Sequence, residues 1–320
     1  MTEKLAVSVV VNTYNESTVI PGLLAGLPAA LEGAGPYEVI VVDNNSADGT
    51  LEVVARDLPD ATRVQLGRNA GYAAGINRGV AVARPSRAVL ALNPDVRLMP
   101  GVVTRLLETL AIPGTGIAVP RIVDAHGRLD RSLRREPTVL RALGEALLGG
   151  RRAGRFHALG EVVQDPGRYE QSGTADWASG AVMLVSRECF DRVGRWDESF
   201  FFYSEETDFS LRARDAGFVL RYAPDAIAVH LGGSSHTSPR LWSILTVNRL
   251  RLFARRNGRL TTAAFWAALM LNEGLRAPLS HHRAVHRAAL RALVQMTPAP
   301  QPRRIRAVLA ALTVPAPAPQ

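Results

Sequence analysis

From Leu5 to Leu92, short runs of β-branched and other apolar residues alternate with longer stretches whose apolar residues recur every three or four positions. Val7–Val11, Val39–Val42, Arg63–Gln65 and Val89–Leu92 read as strands, and Val19–Leu31, Leu51–Leu58 and Ala73–Ala83 read as helices. Over residues 1–120 this alternation predicts repeated βαβ units, a Rossmann-like and mostly parallel central sheet with helices on both faces. Each strand runs out into a polar cluster: Asn12-Thr13-Tyr14-Asn15-Glu16, Asp43-Asn44-Asn45-Ser46 and Asn93-Pro94-Asp95. Ligands lodge at the carboxyl ends of strands in open parallel sheets, so the clusters are expected to share one crevice. No G-x-G-x-x-G follows the first strand and no Walker lysine motif occurs, which argues against a dinucleotide fold and a P-loop.

Past this half the pattern weakens. Residues 124–169 are rich in arginine and glycine with little periodicity, and read as an inserted, partly mobile segment over the crevice. Trp177–Val185 reads as a strand, with a short helix from Ser186. The aromatic and acidic block Phe200–Asp208 opens a helix to Ala216, and strands Phe218–Tyr222 and Ala226–Val229 lead to His230. Beyond Pro239 the chain turns helical and basic, with helices expected at Leu241–Arg256, Thr261–Leu275 and Ala284–Met296 and a disordered tail at 315–320. The expected organisation is a domain over 1–236, made of a nucleotide-binding half (1–120) and an acceptor half (170–236), followed by a basic helical segment over 237–314.

Composition narrows the picture. With 320 residues and 47% hydrophobic content the chain can bury a substantial core. The single cysteine, Cys189, cannot form an intrachain disulfide and no leader pattern precedes Leu5, so the cytoplasm is the expected location. The apolar stretch Thr261–Leu271 is about half of the ~20 residues a spanning helix needs. The formal charge of +9 resides in the C-terminal part, since residues 231–320 hold 13 arginines and one acidic residue, Glu273. Sparse aromatics and the lack of zinc-ligand or RNA-binding signatures argue against nucleic acid and leave an anionic membrane surface, contacted through 240–306 from the inner face, or plain solvation.

The chemistry-bearing motifs occur in order: Val10-Val-Asn-Thr-Tyr-Asn-Glu16, Val41-Val-Asp-Asn-Asn-Ser46, Asn69 with Gly71 and Asn77, Leu92-Asn-Pro-Asp95, Trp177-Ala-Ser-Gly-Ala181, Phe201-Phe-Tyr-Ser-Glu-Glu-Thr-Asp208 and His230. Together, over residues 5–235, they resemble the family 2 glycosyltransferases of the A-type glycosyltransferase fold, and within them the rhamnosyltransferase-like branch. The resemblance implies inverting transfer of a sugar from a nucleoside-diphosphate donor. Asn12, Tyr14, Glu16, Asp43, Asn44, Asn69, Gly71, Asn77, Asn93 and Asp95 then line the nucleotide-sugar site. Asn44 stands where many relatives carry an acid facing the base, and its carboxamide can pair with thymine or uracil.

Asp95 matches the last acid of the family's Asp-x-Asp motif, whose first acid is here Asn93, and with His230 it is the expected ligand of Mg²⁺ or Mn²⁺. Glu206 replaces the family's usual aspartate base, with Glu205 and Asp208 as alternatives. The glycine- and serine-rich turn 232–235 offers donors to phosphate. Trp177, Gly180 and Phe202 wall an acceptor site for a glycan or polyprenyl-linked substrate. UDP-sugar donors, or a non-catalytic sugar-nucleotide binder, remain open on these residues.

Overall fold

The computed structural model describes residues 4–232, 238–279 and 283–296. The tail at 315–320 and Gly233, Ser234 and Ser235 lie outside them. The chain divides into two compact units. A sheet unit comprises the described residues up to Arg134, Asp165–Phe201 and Glu205–Gly232, and a helical unit comprises Arg135–Gln164, Phe202–Ser204 and the described residues from Ser238 on. Contact thus groups two internal segments with the C-terminal helices, a division that a boundary drawn at 236 does not contain.

In the sheet unit, β1 (Leu5–Thr13), β2 (Tyr37–Asp43), β3 (Thr62–Gln65) and β4 (Ser86–Leu92) are parallel in the order β3-β2-β1-β4. β10 (Val182–Ser186) joins antiparallel beside β4, followed by β6 (Thr115–Val123), β11 (Val219–His230) and β5 (Val96–Leu98), with β8 (Gly173–Ala175) also pairing β11. β7 (Leu133–Arg134) and β9 (Trp177–Ala178) form a separate two-stranded sheet.

The central strands are covered on both sides. Val7, Val9 and Val11 of β1 pack in one core with Ile20, Leu23 and Leu27 of α1 (Ile20–Ala30), Val54 of α2 (Thr50–Asp57) and Leu106 of α4 (Val102–Leu110). Val10 points the other way, where α3 (Tyr72–Val82) lies so close that a Cβ on Gly79 would sit 2.3 Å from it. Alternation of side-chain direction along the strand is the cause.

Several sequence readings need correction. The helix α4 and the strand β6 are additional to the elements the periodicity predicts: the apolar run of β6 is broken by Gly116, Pro120 and Arg121. Trp177–Val185 is two strands in two sheets, β9 on β7 and β10 on β4 and β6, with Gly180 between them giving its carbonyl to Tyr72 Oη (2.8 Å); the short helix expected from Ser186 is α7 (Arg187–Val193). Conversely, the two strands read after Phe218 are one, β11, with a register shift at Ala223/Ile227 around Pro224. Residues 124–169 are not an irregular insert: they contain β7, α5 (Val139–Leu148) and α6 (Gly150–Ala153), and Thr138 caps α5 by accepting from Arg141 N at 3.1 Å.

The helical unit is built on α9 (Pro239–Arg256), α10 (Arg259–Leu279) and α11 (Arg283–Met296), with α5 alongside. Val247, Leu250 and Phe253, Phe265 and Leu269, Leu293 and Met296, and Ala142 share one core, in which the Phe253 and Phe265 rings stack 3.9 Å apart. Arg249 bridges Glu161 (2.7 Å) and Glu145 (3.2 Å), and buried Glu273 accepts from Trp242 Nε1 (3.0 Å) with His286 Nδ1 at 2.7 Å. Buried charges tolerated only when paired explain these partners.

Candidate functional site

The carboxyl ends of β1, β2 and β4 form one edge: Asn12 lies opposite Val42, Thr13 opposite Asp43, and Val11 opposite Leu92 just before Asn93. Asp43 is fully buried and accepts from Thr13 Oγ1 (3.0 Å), Ser46 Oγ (2.5 Å) and Ser46 N (2.8 Å), which folds the loop after β2 back onto the strand end. Asn44 is equally buried. Its Nδ2 donates to Asn12 Oδ1 (2.7 Å) and Thr13 O (3.3 Å), and its Oδ1 accepts from Ala70 N (3.0 Å). Both ends of the carboxamide are engaged within the protein, so Asn44 ties β1, β2 and the loop before α3 together. Tyr14 is exposed at the same edge, next to Asn15 in the left-handed region.

Asn69 Oδ1 accepts from Gly71 N at 3.2 Å, and Gly71, at φ 91°, lets the chain pass under Phe201: a Cβ there would lie 2.1 Å from the Phe201 carbonyl, which accepts from Tyr72 N at 3.1 Å. Asn77 sits elsewhere than the sequence reading placed it. It is buried, its Oδ1 accepts from Trp196 N (2.9 Å), and its Nδ2 donates to Trp196 O (2.8 Å) and Glu198 (2.9 Å), making it a clamp between α3 and the 196–198 loop.

Asp95 follows β4, one residue before β5. Antiparallel pairing sets Val96 opposite His230, and Leu231 N donates to Asp95 O at 3.0 Å. This register brings His230 Nε2 to 3.2 Å from Asp95 Oδ2. The other carboxylate oxygen, Oδ1, is buried with no hydrogen-bond partner. Burial pulls the His230 imidazole down, but the Asp95 hydrogen bond and the charges of Asp95 and Asp130 outweigh it, so its pKa lies above the usual histidine value. Glu16 titrates with a pKa raised to about 7, through burial and the neighbouring charges of Asp95 and Asp48.

An orphaned carboxylate oxygen beside a histidine, among acids that repel one another, suits a hard divalent cation. Among the described residues no cluster of three or more metal-ligating side chains occurs. Two protein ligands are nevertheless compatible with Mg²⁺-type chemistry, in which substrate phosphate and water complete the shell.

The third group surrounds Tyr72, which sequence reasoning missed because nothing but its position after Gly71 marks it. Its buried hydroxyl donates to Gly180 O at 2.8 Å, and burial together with the charges of Glu205, Glu206 and Asp95 pushes its pKa well up. Gly180 packs on Glu206: a Cβ there would lie 3.2 Å from Glu206 Cβ. Ala181 O in turn accepts from Asn93 N, so the Gly180-Ala181 backbone ties the Asp95 loop to the start of α8 (Glu205–Asp215). Glu205 is buried and Glu206 half-buried in the first turn of α8, where the helix dipole favours carboxylates.

Asp208 belongs elsewhere: its Oδ2 accepts from Arg212 Nε at 2.7 Å, and Arg212 also donates to the carbonyls of Val193 and Arg195. Trp177 on β9 lies under the Arg134 guanidinium, 5.7 Å from ring centre to carbon. Phe202 falls in the helical unit, where Asn248 Nδ2 donates to the carbonyls of Phe202 (3.0 Å) and Tyr203 (3.1 Å). Asn248 thus holds the backbone at which Tyr203 and Ser204, at φ 68° and 75°, both occupy the left-handed region immediately before Glu205. Non-glycine residues there cost on the order of 1–3 kcal/mol each and persist where surroundings enforce them.

Known proteins share this architecture. The structure superposes with a TM-score of 0.54 on a mannosyltransferase from Pyrobaculum calidifontis in complex with GDP-Man and Mn²⁺, at 18% identity, covering 97% of this chain and 86% of that one. It superposes at 0.57 on GalNAc-T7 with UDP, GalNAc and Mn²⁺, at 14% identity, covering 92% and 56%. The fold is therefore the α/β A-type fold of glycosyltransferases. In sequence, residues 8–165 match Glycosyl transferase family 2 and residues 166–280 match Glycosyl transferase family group 2. Over 243 residues, 72% of this chain and 76% of the relative, the chain is 31% identical to an N-acetylglucosaminyl-diphospho-decaprenol L-rhamnosyltransferase of Mycobacterium tuberculosis. The chain belongs to the family 2 glycosyltransferases.

Proposed function

We propose that the protein is an inverting glycosyltransferase that moves rhamnose from dTDP-rhamnose to a hydroxyl of a glycan or polyprenyl-linked acceptor, with Glu206 as base and Mg²⁺ or Mn²⁺ held by Asp95 and His230. The observation that carries the reading is Asp95: one oxygen on His230, the other buried and unpartnered, at the carboxyl edge of the sheet. When bound, the cation would offset the charge that builds on the diphosphate as the glycosyl bond breaks. Solved A-type neighbours hold Mn²⁺ with nucleotide or nucleotide sugar, which supports the same metal class here. The rhamnosyl donor and lipid-linked acceptor are supported by the mycobacterial relative, a rhamnosyltransferase named for a decaprenol-linked acceptor.

In the proposed step Glu206 takes the acceptor hydroxyl proton, the acceptor oxygen forms a bond to the anomeric carbon, and the bond to the diphosphate oxygen breaks, releasing nucleoside diphosphate. Glu206 suits the role because its stem lies against Gly180 while Asp208 is committed to Arg212. Asn44 is not the base-reading residue in this scheme, since its carboxamide is consumed. Exposed Tyr14 is left to stack on the nucleoside.

The test follows nucleoside-diphosphate release from dTDP-rhamnose and, separately, UDP-sugars, with a soluble analogue of a lipid-linked acceptor, in Mg²⁺, Mn²⁺ or EDTA. Metal-dependent dTDP release is expected, falling about 10²–10⁴-fold in Glu206→Gln, the range that general-base catalysis contributes. Asp95→Ala is expected to lose turnover unless metal is raised. Tight donor binding with no turnover, unchanged by Glu206→Gln, would falsify the catalytic reading.

A further inference from the structure

The helical unit carries an inverted pattern. α5 buries Ala142, Gly144 and Ala146 and exposes Leu140, Leu147 and Leu148, with Leu147 at 67%. Along α10 the exposed positions Leu260, Ala264, Ala267, Leu271 and Leu275 recur every three or four residues, which is one helix face, and Leu260 reaches 89%. α5 and α10 pack side by side, and both bury their other face in the same core of Phe253, Phe265 and Leu269. Arg276 of α10 donates to Glu145 O at 2.7 Å near the end of α5, one residue after exposed Leu275 and two before exposed Leu147, so the bond joins the leucine-bearing ends of the two helices.

A soluble helix ordinarily turns its leucines inward, and contiguous exposed apolar surface marks an interaction site. The charges around it have one sign. Exposed Arg151, Arg152 and Arg155, followed by exposed Phe156, continue directly from α5, and Arg259 stands at the start of α10. The only acids in residues 137–160 and 257–279 are Glu145, held by Arg249, and Glu273, buried on Trp242 and His286. No helix among the described residues is long and apolar enough to cross a membrane. Leucine and phenylalanine rimmed by arginine, without acid and without a span, is the chemistry of an element lying in a lipid headgroup layer.

We infer that α5, α6 and the outer face of α10 form a docking surface for an anionic phospholipid bilayer. Charge complementarity selects this occupant. The chain's own residues 303–306, with Arg303, Arg304 and Arg306, would bring like charge to the surface, and so would a second copy of the same face. The surface also differs from one spread over 240–306. α9 spends three of its five arginines inside the unit, Arg249 on Glu145 and Glu161, Arg251 on Asn248 and Arg256 on Glu136. The inference rests on the helical unit alone and is independent of the donor and acceptor proposed above.

The test is flotation of the full chain with vesicles of phosphatidylcholine alone or mixed with phosphatidylglycerol. Binding is expected only to the anionic vesicles and is expected to weaken with salt. Arg151→Gln with Arg152→Gln should weaken it about 25-fold, roughly fivefold per arginine, and Leu147→Glu with Leu271→Glu should abolish it. Arg56→Gln, an exposed arginine of α2, should leave it unchanged. The substituted leucines are exposed, so unfolding midpoints should match the wild type, and metal-dependent donor turnover without vesicles reports separately on the transferase reading. Absence of flotation on either vesicle overturns the inference. So does binding that survives the leucine pair but vanishes on deleting 297–320, or self-association that the leucine pair disperses while vesicle binding persists.

Discussion

Glu16 follows β1 at the carboxyl edge of the sheet and Asp208 lies on α8, and the surroundings of the two acids give them different roles. Glu16 keeps its proton to about 7 in the folded chain against 4.5 otherwise, so between those values the folded state holds a proton that the unfolded state has lost. Stability from this group is therefore greatest below 4.5, declines as pH rises toward 7 and is flat above. Glu16→Gln should remove that slope, seen as the difference between wild-type and variant unfolding midpoints across pH in EDTA; parallel curves would sink the assignment. Asp208, locked on Arg212, should act on stability. Asp208→Asn is expected to cost about 1–3 kcal/mol, read by denaturant unfolding, while kcat and its pH profile stay put. The same scale shows where reading the sequence stops. Asn12, Asp43, Asn93 and Asp95 are recognisable at strand ends, but Asn44 and Asn77 are spelled like ligands and used as clamps. The partner that consumes Asn77 is the backbone at Trp196, which no spacing within the α3 motif reveals.

Elements were legible where their residue pattern was unbroken. β1 and β4, though buried on both sides like β6, are continuous runs of apolar residues, and the helices between the strands have one wet face. β6 is interrupted by Gly116, Pro120 and Arg121, and α5 hid because its most buried positions are alanine and glycine while Leu140, Leu147 and Leu148 point out. Two close approaches at element level give direct predictions. Gly75 of α3 lies against Asn12, where a Cβ would fall 1.6 Å from Oδ1, so Gly75→Ala must displace Asn12 and with it the Asn44 bridge. A loss of about 1–3 kcal/mol and weaker nucleotide-sugar binding by calorimetry are expected, with stability alone changing if Asn12 lies outside the donor site. Asn248→Ala frees the strained backbone at Tyr203 and Ser204. It should lower kcat more than it raises KM, because Glu205 and Glu206 follow that backbone directly; an unchanged kcat would separate the strain from catalysis.

At the scale of the molecule, the sheet unit and the helical unit are each continuous in space and interrupted in sequence. The chain changes unit after Arg134, Gln164, Phe201, Ser204 and Gly232. A product ending at 236 keeps α5 but removes Val247, Phe265 and Leu293, against which Ala142 and its neighbours pack. It is expected to aggregate or lose α5 protection in hydrogen exchange, whereas a freely separable C-terminal segment would leave α5 protected. The same interleaving limits how such proteins can be recombined. Helices after 238 cannot be traded between relatives as a cassette, because their partners Glu145 and Glu161 of the buried Arg249 network, and the Phe202–Ser204 stretch held by Asn248, are inherited from the middle of the chain. A working chimera would have to exchange all three segments at once.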